Sequence, residues 1–207
     1  MLDQKALDFT ACEHLPWISF TEELYGTVNT FLDLYPPSRT LNTNRNGQAP
    51  LWISVHSRNF KDKYPDLDDL SSAWIQSRAD GLTTVSDVDK LAERFNVRAG
   101  SWLVIVPSNK VDTLWRRIVE STLAGVLGDS AKVHFRSDLK NNTPGPGVYN
   151  ICIHNADYRF APEVSRVRDR LRRLGINDRL TYKPDIYTYL GISTGNFWGI
   201  PPARYAS

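Results

Sequence analysis

The stretch 181–192, Thr-Tyr-Lys-Pro-Asp-Ile-Tyr-Thr-Tyr-Leu-Gly-Ile, decides how the chain is read. Taken with a period of two, it divides into two faces. Tyr182, Pro184, Ile186, Thr188, Leu190 and Ile192 form a largely apolar face that can pack on helices. Thr181, Lys183, Asp185, Tyr187 and Tyr189 form the other. A solvated sheet face needs only polar residues. Two phenols beside a carboxylate and a lysine point further, to aromatic surface for stacking and to groups that hold or move protons. The period therefore predicts a strand with one open, chemically able face.

The same alternation recurs earlier in the chain. In a strand at 51–56, Leu51, Ile53 and Val55 oppose Trp52, Ser54 and His56. At 130–136, Ala131, Val133 and Phe135 oppose Lys132, His134 and Arg136. At 148–155, Tyr149, Ile151 and Ile153 oppose Asn150, Cys152 and His154. Residues 101–106 are apolar on both faces and predict a buried strand. Residues 197–200 predict a short edge strand ended by Pro201 and Pro202.

Helical spacing separates these strands. It predicts helices at 21–34 with Thr21 as cap, at 68–78, at 86–95 with Ser86 as cap, at 111–124 stopped by Gly125, and at 163–174 after Pro162. Several strands follow one another with no helix between. That pattern favours an α+β fold: a mostly antiparallel sheet with helices on one face and the other face open. Residues 38–49 are polar and read as a linker. The expected organisation is an N-terminal helical segment and linker at 1–49, then a single α+β domain at 50–207.

Composition narrows the function classes. Hydrophobic residues make up 41% of the 207, enough for a sizeable core. No apolar run approaches the ~18 residues of a membrane helix, and no signal peptide opens the chain. Cys12 and Cys152 are far apart in sequence. These features lead us to expect a reduced, cytoplasmic protein without a structural zinc site or other cofactor. The net charge of +2 is unevenly spread: residues 1–100 hold 10 Lys and Arg against 14 Asp and Glu, and residues 101–207 hold 15 against 9. A basic second half suits an anionic partner.

If each strand buries its apolar side, the open face gathers Trp52, Ser54, His56, Lys132, His134, Arg136, Asn150, Cys152, His154, Lys183, Asp185, Tyr187 and Tyr189. Three of the four histidines fall on it, and histidine is the side chain best placed to move protons near neutral pH. A three-histidine metal site has no ligand spacing to support it. The second constellation is the predicted helix at 163–174. Val164, Val167, Leu171 and Leu174 occupy about 80° of arc, and Arg166, Arg168, Arg170, Arg172 and Arg173 fill the rest. Arginine in place of lysine favours bidentate phosphate contact, so an RNA backbone is the natural partner. A solvated polar arc is the plainer account of the same residues. Gly-Asp-Ser-Ala-Lys at 128–132 lacks the spacing of a phosphate-binding loop.

Five segments together carry a resemblance: Leu-Trp-Ile-Ser-Val (51–55), Ser-Trp-Leu-Val-Ile-Val (101–106), Val-Asp-Thr-Leu-Trp (111–115), Leu-Gly-Asp-Ser-Ala-Lys-Val (127–133) and Tyr-Lys-Pro-Asp-Ile-Tyr-Thr-Tyr-Leu-Gly-Ile (182–192). They resemble the basophilic-leukaemia-expressed (BLES) family, a domain of unknown function, over about residues 50–205. That resemblance implies the fold of the cap-binding translation initiation factor, a curved antiparallel sheet with helices on its convex side. It does not carry cap binding with it. In size and general character the chain also resembles the fungal arginine-containing cyclodipeptide synthases. These join amino acids taken from aminoacyl-tRNAs into diketopiperazines, products of secondary metabolism.

Two functions follow as expectations. The first is a cyclodipeptide synthase using arginyl-tRNA. Asp185 would receive a guanidinium. Lys183, Tyr187, Tyr189 or His154 would shuttle protons. Trp52, His56, Lys132, His134 and Asn150 would line the substrate site, and the five arginines would hold tRNA. Ser130, Ser54 or Cys152 would serve if an aminoacyl-enzyme forms; direct attack by one amine on the other ester needs none. The second is a non-catalytic module that binds RNA or a cap-like nucleotide.

Overall fold

The computed structural model describes residues 17–40, 52–58, 60, 67, 69–134 and 148–207. Its elements are β1 (Ile18–Ser19), α1 (Glu22–Tyr25), α2 (Val28–Leu34), β2 (Trp52–His56), α3 (Leu70–Ala79), α4 (Val85–Arg94), β3 (Gly100–Pro107), α5 (Ser108–Leu123), β4 (Ser130–His134), β5 (Val148–Asn155), α6 (Ala161–Arg173), β6 (Thr181–Pro184), α7 (Asp185–Tyr189) and β7 (Tyr205–Ala206). The strands form one open, mixed sheet in the order β1-β2-β4-β5-β3-β6-β7. Every neighbouring pair is antiparallel except β1 with β2. The fold is α+β, as the alternation of periods predicts.

Register sets the two faces. Ile53 lies opposite Val133, Val133 opposite Ile151, Ile151 opposite Val104, and Trp102 opposite Tyr182. All of these are buried. They join Trp74, Val88, Trp115, Ile118, Val164 and Leu171 of the helices in a single core, so helices cover this face. The Trp102 indole N–H donates to the carbonyl of Val164 at 2.8 Å, which ties β3 to α6. Phe31 and Leu32 of α2 enter the same core, and Ile18 and Ser19 pair with Ile53 and Ser54.

Several elements differ from their sequence readings, each for a local reason. The strand expected at 181–192 ends at Pro184, which lacks an N–H and holds φ −63° and ψ 143°. Asp185 donates its N–H to Ala99 at 2.9 Å and the chain winds into α7. Gly191, at φ 71°, closes that turn, with the Ile192 N–H on the Tyr187 carbonyl. A helical period then applies, so Tyr187 is buried in the core and Tyr189 is exposed. Tyr187 therefore does not lie on the open face with Lys183, as the period of two required.

Gly26, at φ 68°, breaks the helix expected at 21–34 into α1 and α2, and Thr27 caps the second. Thr84 rather than Ser86 caps α4, through a capping box with Asp87. The segment 197–200 forms turns, because the Asn196 side chain bonds the backbone of Ser193, Trp198 and Ile200. The edge strand is β7 instead. The strand expected at 101–106 is buried on its core side only: Ile105, on the other side, is 56% exposed. Arg136 and Phe135 lie outside the described residues.

At Gly100 a Cβ would meet the Tyr182 ring at 2.8 Å and the Lys183 carbonyl at 3.0 Å. The Tyr182 hydroxyl lies at 2.9 Å from the same point and has no hydrogen-bond partner among the described residues. Overpacking of this kind costs about 1–3 kcal/mol, whereas deleting an unpaired buried hydroxyl is nearly neutral. Gly100→Ala should therefore destabilise by that amount in urea unfolding. Tyr182→Phe alone should change little, and the double variant should recover part of the loss. Additive effects would contradict the contact.

Candidate functional site

The face of the sheet away from the core helices is laid out by register in three rows. His56, Ser130, His154, Ser101 and Lys183 follow one another across five strands. Ser54, Lys132, Cys152, Leu103 and Thr181 form the next row, and Trp52, His134, Asn150 and Ile105 the third. Directly opposed residues hold their Cβ atoms about 4.5–5.5 Å apart. Isolated sequence positions become a continuous floor of hydroxyls, imidazoles, a thiol and two ammonium groups.

Lys132 occupies the middle of this floor. Its Nζ lies 4.5 Å from the centroid of Trp52 and 5.0 Å from that of Trp17. A cation over two indole faces is held by the ring quadrupoles. The two rings are 6.3 Å apart, and His134 meets Trp52 edge-on at 4.9 Å. Ser54 is buried because its hydroxyl meets that of Ser19 at 2.7 Å. Asn150 is exposed.

Burial dominates the titration of the groups around Lys132. It pushes the Asp185 carboxyl above its ordinary range, while the positive fields of Lys132 and then Lys183 oppose the rise. Asp185 is half-buried and has no hydrogen-bond or ion-pair partner for its carboxylate among the described residues. Burial likewise raises the Cys152 thiol; Lys132 opposes that rise, Asp185 adds to it, and a hydrogen bond with Ser101 pulls it back. His154 is held well below the ordinary histidine value by burial, then by Lys132 and His56. His134 is lowered by burial and by Lys132. Burial also lowers Lys183, against the pull of Asp185. His134 and His154 are thus biased toward the neutral form, as proton acceptors, and Asp185 feels the fields of two cations.

The structure thus brings together Trp52, His56, Lys132, His134, Asn150, His154, Lys183 and Asp185 and puts Tyr187 in the core; Tyr189, one helical turn after Asp185, is exposed. Tyr187 instead belongs to a core network: Tyr158 donates to Asp89 at 2.6 Å, Arg204 donates to the same carboxylate at 2.9 Å, and Arg204 interacts with Tyr187. Two contributors to the open face escaped the sequence reading. Ser101 was hidden in an apolar run. Trp17 precedes the first strand and carries no periodic signal. Among the described residues no group of three His, Cys, Asp or Glu is placed to hold a metal ion.

The arginines of α6 are not a uniform cationic arc. Arg166 pairs with Glu163, and Arg168 with Asp169. Arg172 donates to the carbonyls of Ile176 and Asp178 and to the Ser207 hydroxyl, closing the helix end. Arg170 and Arg173 keep no ion pair among the described residues. The apolar stripe of α6 packs on the core side of the sheet, so the remaining arginines lie across the sheet from the row of histidines.

A buried neutral histidine has a stability signature. Its folded pKa is depressed below the ordinary 6.5, so between those two values the unfolded chain binds more protons and stability falls as pH falls. His154→Gln should flatten the loss of unfolding free energy between pH 7 and 5.5, by at most about 1.4 kcal/mol per pH unit for one proton. Equal slopes in wild type and variant would show that His154 is solvated.

Comparison with known families places much of the chain under a family model. The family model described as "Basophilic leukemia-expressed protein Bles03" matches residues 76–191, which hold α4, β3, α5, β4, β5, α6, β6 and α7 and most of the polar floor. No helix among the described residues is long and apolar enough to cross a membrane. With more than half of its length under that model, the chain belongs to the Bles03 family.

Proposed function

We propose that the protein is a tRNA-dependent cyclodipeptide synthase that takes arginine from arginyl-tRNA and joins it to a second amino acid. One observation carries this reading: Asp185 is a desolvated carboxylate with no hydrogen-bonding partner among the described residues, at the edge of a floor that holds neutral imidazoles. A carboxylate taken out of water needs a donor, and a guanidinium supplies two in the matching geometry.

The chemistry needs few parts. The amine of one aminoacyl ester attacks the carbonyl of the other. A C–N bond forms, the C–O bond to the ribose breaks, and the amine's proton passes through a neutral imidazole to the leaving ribose oxygen. A second, intramolecular attack closes the ring and releases the second tRNA. His154 has the protonation state for this transfer. Lys132 places a positive charge where negative charge develops on the carbonyl oxygen. For a covalent route Ser130 is the better-placed nucleophile, since Ser54 is buried against Ser19 and burial holds Cys152 as a thiol. Arg170 and Arg173 would contact tRNA phosphates away from the floor.

A second reading, a non-catalytic RNA- or nucleotide-binding module, is favoured by the indole pair. Trp17 is 40% exposed beside Trp52 and offers a stacking surface.

Mass analysis of small molecules from cells making the protein tests the two. The synthase reading expects an arginine-containing cyclic dipeptide. Asp185→Asn should lower its formation about 10–100-fold, the range of one to two charge-assisted hydrogen bonds. Melting temperature should be unchanged or higher, because a desolvated charge is removed. Wild-type rates from Asp185→Asn would refute the role of Asp185. Absence of any cyclic dipeptide with charged tRNAs, together with RNA binding, would favour the module.

A further inference from the structure

Among the described residues, strand β3 is paired on both sides for only half its length. With β5 its register runs from Gly100 to Pro107, but with β6 it stops at Leu103. The hydrogen-bond phase identifies what is left over. Leu180 and Ser207 exchange two bonds of 3.0 Å, and the Arg204 N–H donates to Tyr182, so Leu180 and Tyr182 turn their backbone groups toward β7. Thr181 and Lys183 must then face β3, where they meet Leu103 and Ser101. Continuing by twos, Ile105 presents its N–H and C=O on that same edge, beyond the last β6 residue. Val104 and Val106 face β5.

The chain that would extend β6 is held away from this edge. Arg172 fixes the carbonyls of Ile176 and Asp178 at 2.7 Å each and reaches Ser207 at 2.9 Å. Between the turn and the edge lies a cavity of about 320 Å³, lined by Ile105, Leu114, Leu174, Lys110, Arg117 and Asp178 among others. Lys110, Leu114 and Arg117 fall on one stripe of α5. Both cations are exposed and make no ion pair among the described residues. Two cations against one carboxylate leave the wedge electropositive. A second copy docking edge to edge would set these cations against one another, which disfavours self-association.

We propose that this wedge takes a short, extended, acidic peptide of a partner protein as an added strand. The peptide backbone pairs with the N–H and C=O of Ile105. One apolar side chain enters the cavity between Leu114 and Leu174. Carboxylates flanking it meet Lys110 and Arg117. The site lies beyond the last β6 pairing and shares none of the groups assigned to the synthase chemistry.

The test uses the full chain and two labelled peptides, acetyl-Glu-Val-Glu-Val-Glu-amide and its lysine counterpart, with binding followed by fluorescence anisotropy and single amides by NMR hydrogen exchange. The acidic peptide should bind, more tightly at low salt, and the lysine peptide should not. Lys110→Glu with Arg117→Glu should weaken binding at least about tenfold. In the free protein the Ile105 amide should exchange fast while Val104 and Val106 are protected; the acidic peptide should slow Ile105. The proposal is overturned if neither peptide binds, if both bind equally, or if Ile105 is already protected without peptide. It is also overturned if sedimentation shows a dimer that Ile105→Pro abolishes, since a second copy would then cover the edge.

Discussion

The indole of Trp102 holds the architecture together. Its N–H is spent on the Val164 carbonyl in α6, and its ring meets Tyr182 of β6 at 5.3 Å and 76°. Tyr182 in turn packs edge-on against Tyr205 of β7 and across Gly100, where only a residue without a side chain fits. One buried side chain thus fixes the helix layer to the sheet and sets how closely β3 and β6 approach. That approach brings Lys183 to the end of a row that begins at His56, four strands away, with Asp185 just beyond it.

Covering one face of a sheet leaves the other to be something else. Here the opposite face is neither freely solvated nor packed. Its side chains are mostly half-buried, which is the condition under which charge becomes expensive and protonation states move. Lys132 lies against two indoles, and its field adds to the effect of burial on His134 and His154 and opposes the protonation of Asp185. Burial sets the direction of these shifts, and Lys132 is the charged neighbour that they share.

The chain beyond β6 is restrained by polar contacts. Asp89 of α4 accepts from both Tyr158 and Arg204, and Tyr205 donates to the Tyr158 carbonyl at 3.0 Å. These contacts close β7 onto the helix layer, while Arg172 holds the turn before β6. The same restraint keeps the turn from continuing the sheet and leaves the wedge beside Ile105.

The alternation of apolar and polar residues in β2, β4 and β5 determined, without any structure, that Trp52, His56, Lys132, His134, Asn150 and His154 share a face. Period two is a local property, and each strand carries its own copy of it. The same reasoning failed at 185–189. Pro184 stopped the strand, and the period changed within one residue from two to that of a helix, which moved Tyr187 into the core. It failed again at Ser101, which stands in an apolar run yet shares a row with His154 and Lys183. The arginines of α6 were legible as a cationic arc, but which of them are engaged depended on Glu163, Asp169 and the fold of residues 176–178. The sequence by itself determined the elements, the fold class and the faces of three strands. Tertiary structure alone decided the strand order, hence which histidine lies beside which serine, and the burial that shifts their protonation, because both arise from residues far apart in the chain.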